Sequence, residues 1–404
     1  MILRQRYIEA IKPFIDKPQI KIITGIRRSG KSTVLHMLEE EIRRRGVQPQ
    51  QIVSINFESF TFSHVLEASK LYAFISQKIQ KGKKYYLLLD EIQEVDHWEK
   101  AVNSFLVDFD LDIYLTGSNS HLLSSELSTY LAGRYVEIPV YTLSYREFLD
   151  FRRHYVPKHE NSGDLFTIYL RKGGFPVIHT ADYPEESAYK VVYDIYSSVI
   201  LRDTVQRYKI RDVELLERVI KYAFDNMGNT FSGKNVADYF KSQQRKIDIN
   251  TVYNYLHALV GAFILYRVSR YDLRGKEILK THEKFYLSDI SLIYATLGHR
   301  DRMIGGILEN IVFLELKRRG YDVFVGKLGT HEIDFIAEKQ GNKMYVQVAY
   351  KLENEETVER EFGNLLSIRD QFPKYVVTMD EFWKDSMEGI THLYITDFLM
   401  SDKF

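Results

Sequence analysis

Gly25-Ile26-Arg27-Arg28-Ser29-Gly30-Lys31-Ser32-Thr33 is the stretch on which the reading of this chain turns. An apolar run, Ile20-Lys21-Ile22-Ile23-Thr24, leads into it, and a helical pattern, Val34-Leu35-His36-Met37-Leu38, leads out. Strand, glycine-bounded turn and helix together form the context a P-loop requires. Gly25 and Gly30 let the backbone wrap closely, so that successive N–H groups at the helix start point at an anion. In that arrangement Lys31 reaches the β- and γ-phosphates and the Ser32 hydroxyl is placed to ligate Mg²⁺. The alternative is a chance match in an ordinary strand–turn–helix. With strand and helix both in place, the loop reads as a nucleoside triphosphate site.

A chain of 404 residues is too long for one ordinary core and points to two or three domains. Hydrophobic residues at 45% and charged residues at 27% describe a folded, globular chain and exclude a disordered one. The 55 basic and 55 acidic residues cancel, so contact with nucleic acid needs a local patch, not a whole-molecule field. The chain has no cysteine, which excludes disulfides, thiolate catalysis and cysteine-ligated zinc. Met1-Ile2-Leu3-Arg4-Gln5-Arg6-Tyr7 does not read as a signal peptide, and no run approaches the ~20 apolar residues of a membrane span. The expectation is a cytoplasmic protein with no membrane partner.

Up to about residue 150 apolar runs alternate with helical patterns: Ile52–Phe57, Tyr85–Leu89, Ile113–Thr116 and Tyr135–Val140. This predicts a parallel sheet buried on both faces, with ligand sites beyond the carboxyl ends of its strands. Asp90 and Glu91 directly follow the run Tyr85–Leu89. Two carboxylates at the end of a buried strand need compensation. A Walker B strand supplies the reason, with Asp90 holding Mg²⁺ and Glu91 orienting the attacking water; the alternative is an acid pair capping the next helix. Thr116, Ser118 and Asn119 end the following strand, where a polar group would touch the γ-phosphate or the water, or serve as plain turn chemistry. Arg134, just before the next strand, is a candidate arginine finger in cis or from a neighbouring subunit.

Ile22 to Leu35, Leu87 to Glu91, Leu115 to Asn119, Gly133-Arg134 and Leu143-Ser144-Tyr145-Arg146-Glu147-Phe148 together resemble a large family of prokaryotic AAA-type ATP-binding proteins. Arg171-Lys172-Gly173-Gly174-Phe175-Pro176 and Ile200-Leu201-Arg202-Asp203 are similar to that family's middle region. The resemblance covers essentially the whole chain and implies ATP with Mg²⁺, but states no biological role. The Arg27-Arg28 pair belongs to the resemblance alone.

Residues 151–211 read as a helical lid or linker, in which Gly173-Gly174-Phe175-Pro176 is a helix connection or a hinge. Residues 212–290 show three helical patterns and two β-like runs, a winged helix-turn-helix. In its third helix Val252, Tyr255, Leu256 and Leu259 form the buried stripe, leaving Thr251, Asn254 and His257 outward as base-reading groups. Between Leu265 and Phe285 six cations (Arg267, Arg270, Arg274, Lys276, Lys280, Lys284) outnumber three acids, and Arg270 and Arg274 are the candidate phosphate contacts. The same unit would serve equally for protein contacts. Residues 300–404 resemble a restriction-endonuclease-like α/β domain, with Glu309 on a helix, Asp334 on a strand and Gln347-Val348-Ala349 on the next. Gln347 replaces the usual second acid, and Ala349 stands where that chemistry wants a lysine. Lys351 is two residues on, so the site reads as degenerate.

The expected protein is therefore an AAA-type P-loop ATPase domain (1–150), a lid, a winged helix and a nuclease-like domain. It would hydrolyse ATP to drive a conformational change on double-stranded DNA, a protein partner or a homo-oligomer. The alternatives are an ATP-gated nuclease and a DNA-binding regulator that uses ATP as a structural switch.

Overall fold

A computed structural model of the chain describes residues 2–80, 82–120, 131, 133–156, 164–244, 247–299, 303–381 and 383–403. The chain divides into two compact units: Met1–Tyr141 with Gly261–Phe263, and Thr142–Val260 with Ile264–Phe404.

The first unit is built on five parallel strands, β1 (Ile20–Thr24), β2 (Ile52–Asn56), β3 (Tyr85–Asp90), β4 (Leu111–Gly117) and β5 (Tyr135–Pro139), in the order β2-β3-β4-β1-β5. Successive side chains point to opposite faces, and the central strands are apolar on both. Ile23, Leu88 and Tyr114 pack against helices α1 (Gln5–Ile11) and α2 (Lys31–Arg44). Ile22, Leu87, Leu89, Ile113 and Leu115 pack with Leu71 and Ile75 of α3 (Ala68–Lys78) and Val102 and Phe105 of α4 (Trp98–Asp108). Because the strands are parallel, the carboxyl ends of β1, β3 and β4 share one edge of the sheet. Gly25, Asp90-Glu91 and Ser118-Asn119 sit there.

The second unit opens with α5 (Tyr145–Tyr155), α6 (Leu165–Lys172) and α7 (Glu185–Ser198), the last continuing to Gln206 in wider π-type turns. The Gly173-Gly174 turn is closely packed. Gly173 has φ 66°, and a Cβ there would lie 2.0 Å from an Asp289 carboxylate oxygen, while the Gly174 N–H donates to Asp289 Oδ2 at 2.8 Å. Next come α8 (Val213–Asp225), α9 (Gly233–Ser242) and α10 (Ile249–Gly261), followed by the antiparallel pair β6 (Leu265–Asp272) and β7 (Glu277–Leu287). Val252, Tyr255, Leu256 and Leu259 are buried, as their spacing predicts.

The break expected between residues 290 and 300 does not interrupt the sheet. β6 pairs in parallel with β8 (Asp322–Leu328) from Arg270–Val325 to Asp272–Lys327. The hairpin thus forms one end of an eight-stranded sheet that continues through β9 (His331–Lys339), β10 (Asn342–Val348), β11 (Lys374–Thr378), β12 (Ser386–Met387) and β13 (Ile390–Tyr394). An open strand edge exposes unpaired backbone groups, and β8 satisfies those at the outer end of β6. Helix α11 (Ile304–Arg318) is buried almost throughout, and its Phe313 stacks on Tyr286 at 4.5 Å between ring centres. Helix α12 (Glu355–Leu366) packs Phe362 and Leu365 onto Ile333, Tyr345 and Val376.

Candidate functional site

The loop after β1 is shaped by three residues in the left-handed region: Gly25 (φ 143°), Arg28 (φ 66°) and Gly30 (φ 100°). At Gly25 a Cβ would come within 2.1 Å of the Val140 carbonyl oxygen, so only glycine fits. Arg28 adopts a conformation unusual for a side-chain-bearing residue. Arg27 leaves the loop and pairs with Glu58 at 2.8 Å. Ser29 is buried, with no partner for its hydroxyl among the described residues. Lys31, nearly buried, bonds back to the Ile26 carbonyl at 3.3 Å and lies 3.5 Å from Glu91. Ile26 is buried, while Ser32 and Thr33 are exposed on the first turn of α2.

The acid pair closes β3. Asp90 accepts from the Thr116 hydroxyl at 2.5 Å and from Asn56 at 3.2 Å, and Ser32 also hydrogen-bonds to it. Burial lifts its carboxyl above the usual carboxylate range, with the Thr116 and Ser32 bonds opposing the shift. Glu91 sits at φ 54°, its N–H donating to Thr116 Oγ1 at 2.8 Å. Burial works against its charge too, but the Lys31 ammonium, Gln93 and Arg27 outweigh it and hold the carboxyl below its ordinary value. Burial thus disfavours the charge of Asp90, while the neighbouring lysine favours that of Glu91.

Ser118 and Asn119 are buried just past β4, between the loop strand and the acid strand, where Gln93 Nε2 reaches Ser118 at 3.5 Å. Arg134 is not in this group. It precedes β5, its carbonyl accepts from Ile20 N at the start of β1, and its guanidinium bonds Asn103 at 3.2 Å. Parallel pairing puts it at the opposite edge of the sheet, which removes the cis role. Sequence reasoning also missed Arg4, which is buried and donates to the Ser29 carbonyl at 2.7 Å and the Tyr141 carbonyl at 2.9 Å. Asn56 was missed as well. Only tertiary contact reveals either one.

In the second unit Thr251 is half-buried, and Asn254 and His257 are exposed on α10; His257 rests edge-on against Tyr208. Arg274 is exposed at the hairpin tip. Arg270 instead turns inward, mostly buried, with Glu332 at 3.9 Å, so it is not a free phosphate contact. Glu309, Asp334 and Gln347 do meet: the Val348 N–H donates to Asp334 Oδ2 at 2.9 Å, and Gln347 Oε1 accepts from Asp334 N at 3.3 Å. Lys351 does not join them. It lies past the end of β10, exposed, 3.9 Å from Glu353. The lysine in the cluster is Lys284 of β7, 2.9 Å from Glu309, 2.8 Å from Glu332 and 3.7 Å from Asp334. Tyr286 also donates to Glu309. Burial disfavours the Lys284 charge, yet the three carboxylates more than reverse this and raise its pKa. Asp334 is driven well up, first by burial and then by Glu309.

A parallel sheet with a glycine-bounded loop after β1 and an acid pair closing β3 defines the P-loop class of nucleotide-associated domains. Residues 17–149 match the family described as AAA domain, and residues 163–302 match a Domain of unknown function (DUF8612). An uncharacterized protein of Haemophilus influenzae is 38% identical over 406 residues, covering 99% of each chain. Another, of Methanocaldococcus jannaschii, is 30% identical over 354 residues, covering 85% of this chain and 77% of its own length. The chain belongs to the family these proteins share, and its N-terminal part is an AAA-type P-loop domain. The Walker-type ATPase PABY2304 of Pyrococcus abyssi has a similar fold, with a TM-score of 0.53 at 14% identity over 74% of this chain and 96% of that one. Among the described residues no helix is long and apolar enough to cross a membrane.

Proposed function

We propose that the chain binds ATP with Mg²⁺ at the 25–33 loop and hydrolyses it to drive a conformational change, passed to residues 142–404 and through them to DNA or a protein partner. The observation that carries this reading is the meeting of Lys31, Asp90, Glu91 and Thr116 at one sheet edge, with Lys31 and Glu91 3.5 Å apart. Backbone N–H groups of the loop would hold the phosphates, apart from that of Ser29, which donates to the Ile26 carbonyl at 3.1 Å, and Lys31 would leave Glu91 for them. Ser32 and Asp90, already hydrogen-bonded to each other, are a hydroxyl and a carboxylate suited to Mg²⁺. When bound, that ion would supply charge neutralisation on the phosphate oxygens. Freed of Lys31, Glu91 would accept a hydrogen bond from the attacking water, with Asn119 and Ser118 beside it. An arginine finger, if Arg134 supplies one, comes from a neighbouring subunit.

The nuclease alternative acquires a lysine in Lys284, but the environment of that lysine argues against cleavage. The ammonium sits where the carboxylates converge, so the ligands a metal would need are already neutralised. Gln347 spends its oxygen on the backbone, and Ala349 offers nothing. The three helices and hairpin of residues 213–287 support a winged-helix reading with an outward α10.

Phosphate release with and without double-stranded DNA tests the proposal. Turnover present in wild type and lost in Glu91→Gln is expected; equal turnover in the two proteins would overturn the assignment.

A further inference from the structure

The second unit carries a groove of about 1040 Å³ on the sheet face beside the end of α12. Half-buried Tyr271 of β6, Leu273 just past it and Leu328 of β8 line it, with exposed Arg274, Lys276, His331 and Arg369 around them. Lys343 Nζ lies 5.3 Å from the Tyr271 ring centre and 5.9 Å from that of Phe372, whose own surface is 40% exposed. Arg274, Lys276 and Arg369 make no ion pair within 4.0 Å among the described residues, whereas Lys343 is paired with Glu338. The lining carboxylate, Asp370, is occupied by the Tyr345 hydroxyl at 2.5 Å and by Lys374. A Cβ added at Gly329 would lie 3.3 Å from Arg274 Cζ, so the hairpin tip and the β8–β9 turn are neighbours.

We propose that this groove binds single-stranded nucleic acid. Three unpaired cations beside an exposed aromatic ring and an apolar floor are the two features such a strand needs, one for phosphates and one for base faces. The inference rests on the nucleic-acid branch of the function proposed above and moves the contact from α10 to the sheet.

The test is fluorescence anisotropy of a labelled oligothymidine with the full chain, at several salt concentrations, with ATP turnover measured on the same samples. Arg274→Glu combined with Lys276→Glu and Arg369→Glu is expected to weaken binding at least tenfold at low salt. The slope of log affinity against log salt should become shallower by about two for three lost contacts. Phe372→Ala, which leaves every charge in place, is expected to weaken binding about fivefold with the slope unchanged. If the triple variant does not fold, Lys276→Glu alone should show a threefold or greater loss. Wild-type binding that is absent, indifferent to these changes, or lost instead on Thr251→Ala with Asn254→Ala would overturn the groove assignment. Unchanged ATP turnover in that case would leave the ATPase reading standing, while absent turnover with intact binding would remove the ATPase reading alone.

Discussion

Lys31 and Glu91 neutralise each other across 3.5 Å while both are nearly buried. That pairing assigns different outcomes to the two side chains. Lys31→Ala removes the phosphate charge partner, so nucleotide affinity should fall while the fold persists; titration with a fluorescent ATP analogue reads this directly. Glu91→Gln keeps the loop and Lys31, so binding should persist while turnover drops by about 10²–10⁴-fold, the usual contribution of a positioned acid–base group. A second residue sets a pH limit. Burial pushes the His179 imidazole down to about 4, against the hydrogen bond between its Nε2 and the Gly173 carbonyl. The unfolded chain takes up this proton near the ordinary value of 6.5 and the folded chain does not. Stability from this group is therefore full above about pH 6.5 and lost as pH falls toward 4, by about 3 kcal/mol in all. Urea midpoints across that range should fall in wild type, with a flatter profile in His179→Leu.

Among the elements, β7 joins two parts of the second unit. Its Lys284 is the shared cation of Glu309 on α11 and of Glu332 and Asp334 on β9. Lys284→Met would leave three crowded carboxylates without their shared cation, with Arg270 3.9 Å from Glu332 alone. Breaking a buried pair from one side costs about 3–5 kcal/mol, so the melting temperature should drop sharply, and Lys284→Arg should recover part of it. The same pairing leads us to expect no cleavage of plasmid or single-stranded DNA with Mg²⁺ or Mn²⁺, with or without ATP. Metal-dependent cleavage that disappears in Asp334→Ala would reverse that conclusion.

For the molecule as a whole, the eight-stranded sheet joins the β6–β7 hairpin to the strands that follow residue 320, despite the pattern change near 290. A fragment ending at residue 290 would leave β6 without β8 and Lys284 without all three of its acids. It should fail to melt cooperatively, whereas a fragment of residues 1–141 keeps its five strands and both helical layers. Differential scanning calorimetry of the two fragments distinguishes this from the expectation of an independent winged helix.

The sequence alone determined what depends on local order: the strand–loop–helix around Gly25 to Thr33, the acid pair at the end of β3, and the buried stripe of α10. In each case the chemistry lies in adjacent residues or at a fixed helical spacing, so reading the chain is enough. Residues that act across long separations were invisible to it. Arg4 supports the loop from 25 residues upstream of Ser29, and Lys284 reaches carboxylates 25 to 50 positions later. Neither belongs to a motif. Arg134 as a finger in cis and Arg270 as a free phosphate contact do not fit the fold for the converse reason. Their sequence neighbourhoods suited phosphates, but parallel pairing put one at the far edge of its sheet, and the closure of β6 onto β8 left the other mostly buried beside Glu332. Strand pairing sets which end of a sheet a residue occupies, and that is a property of the assembled fold.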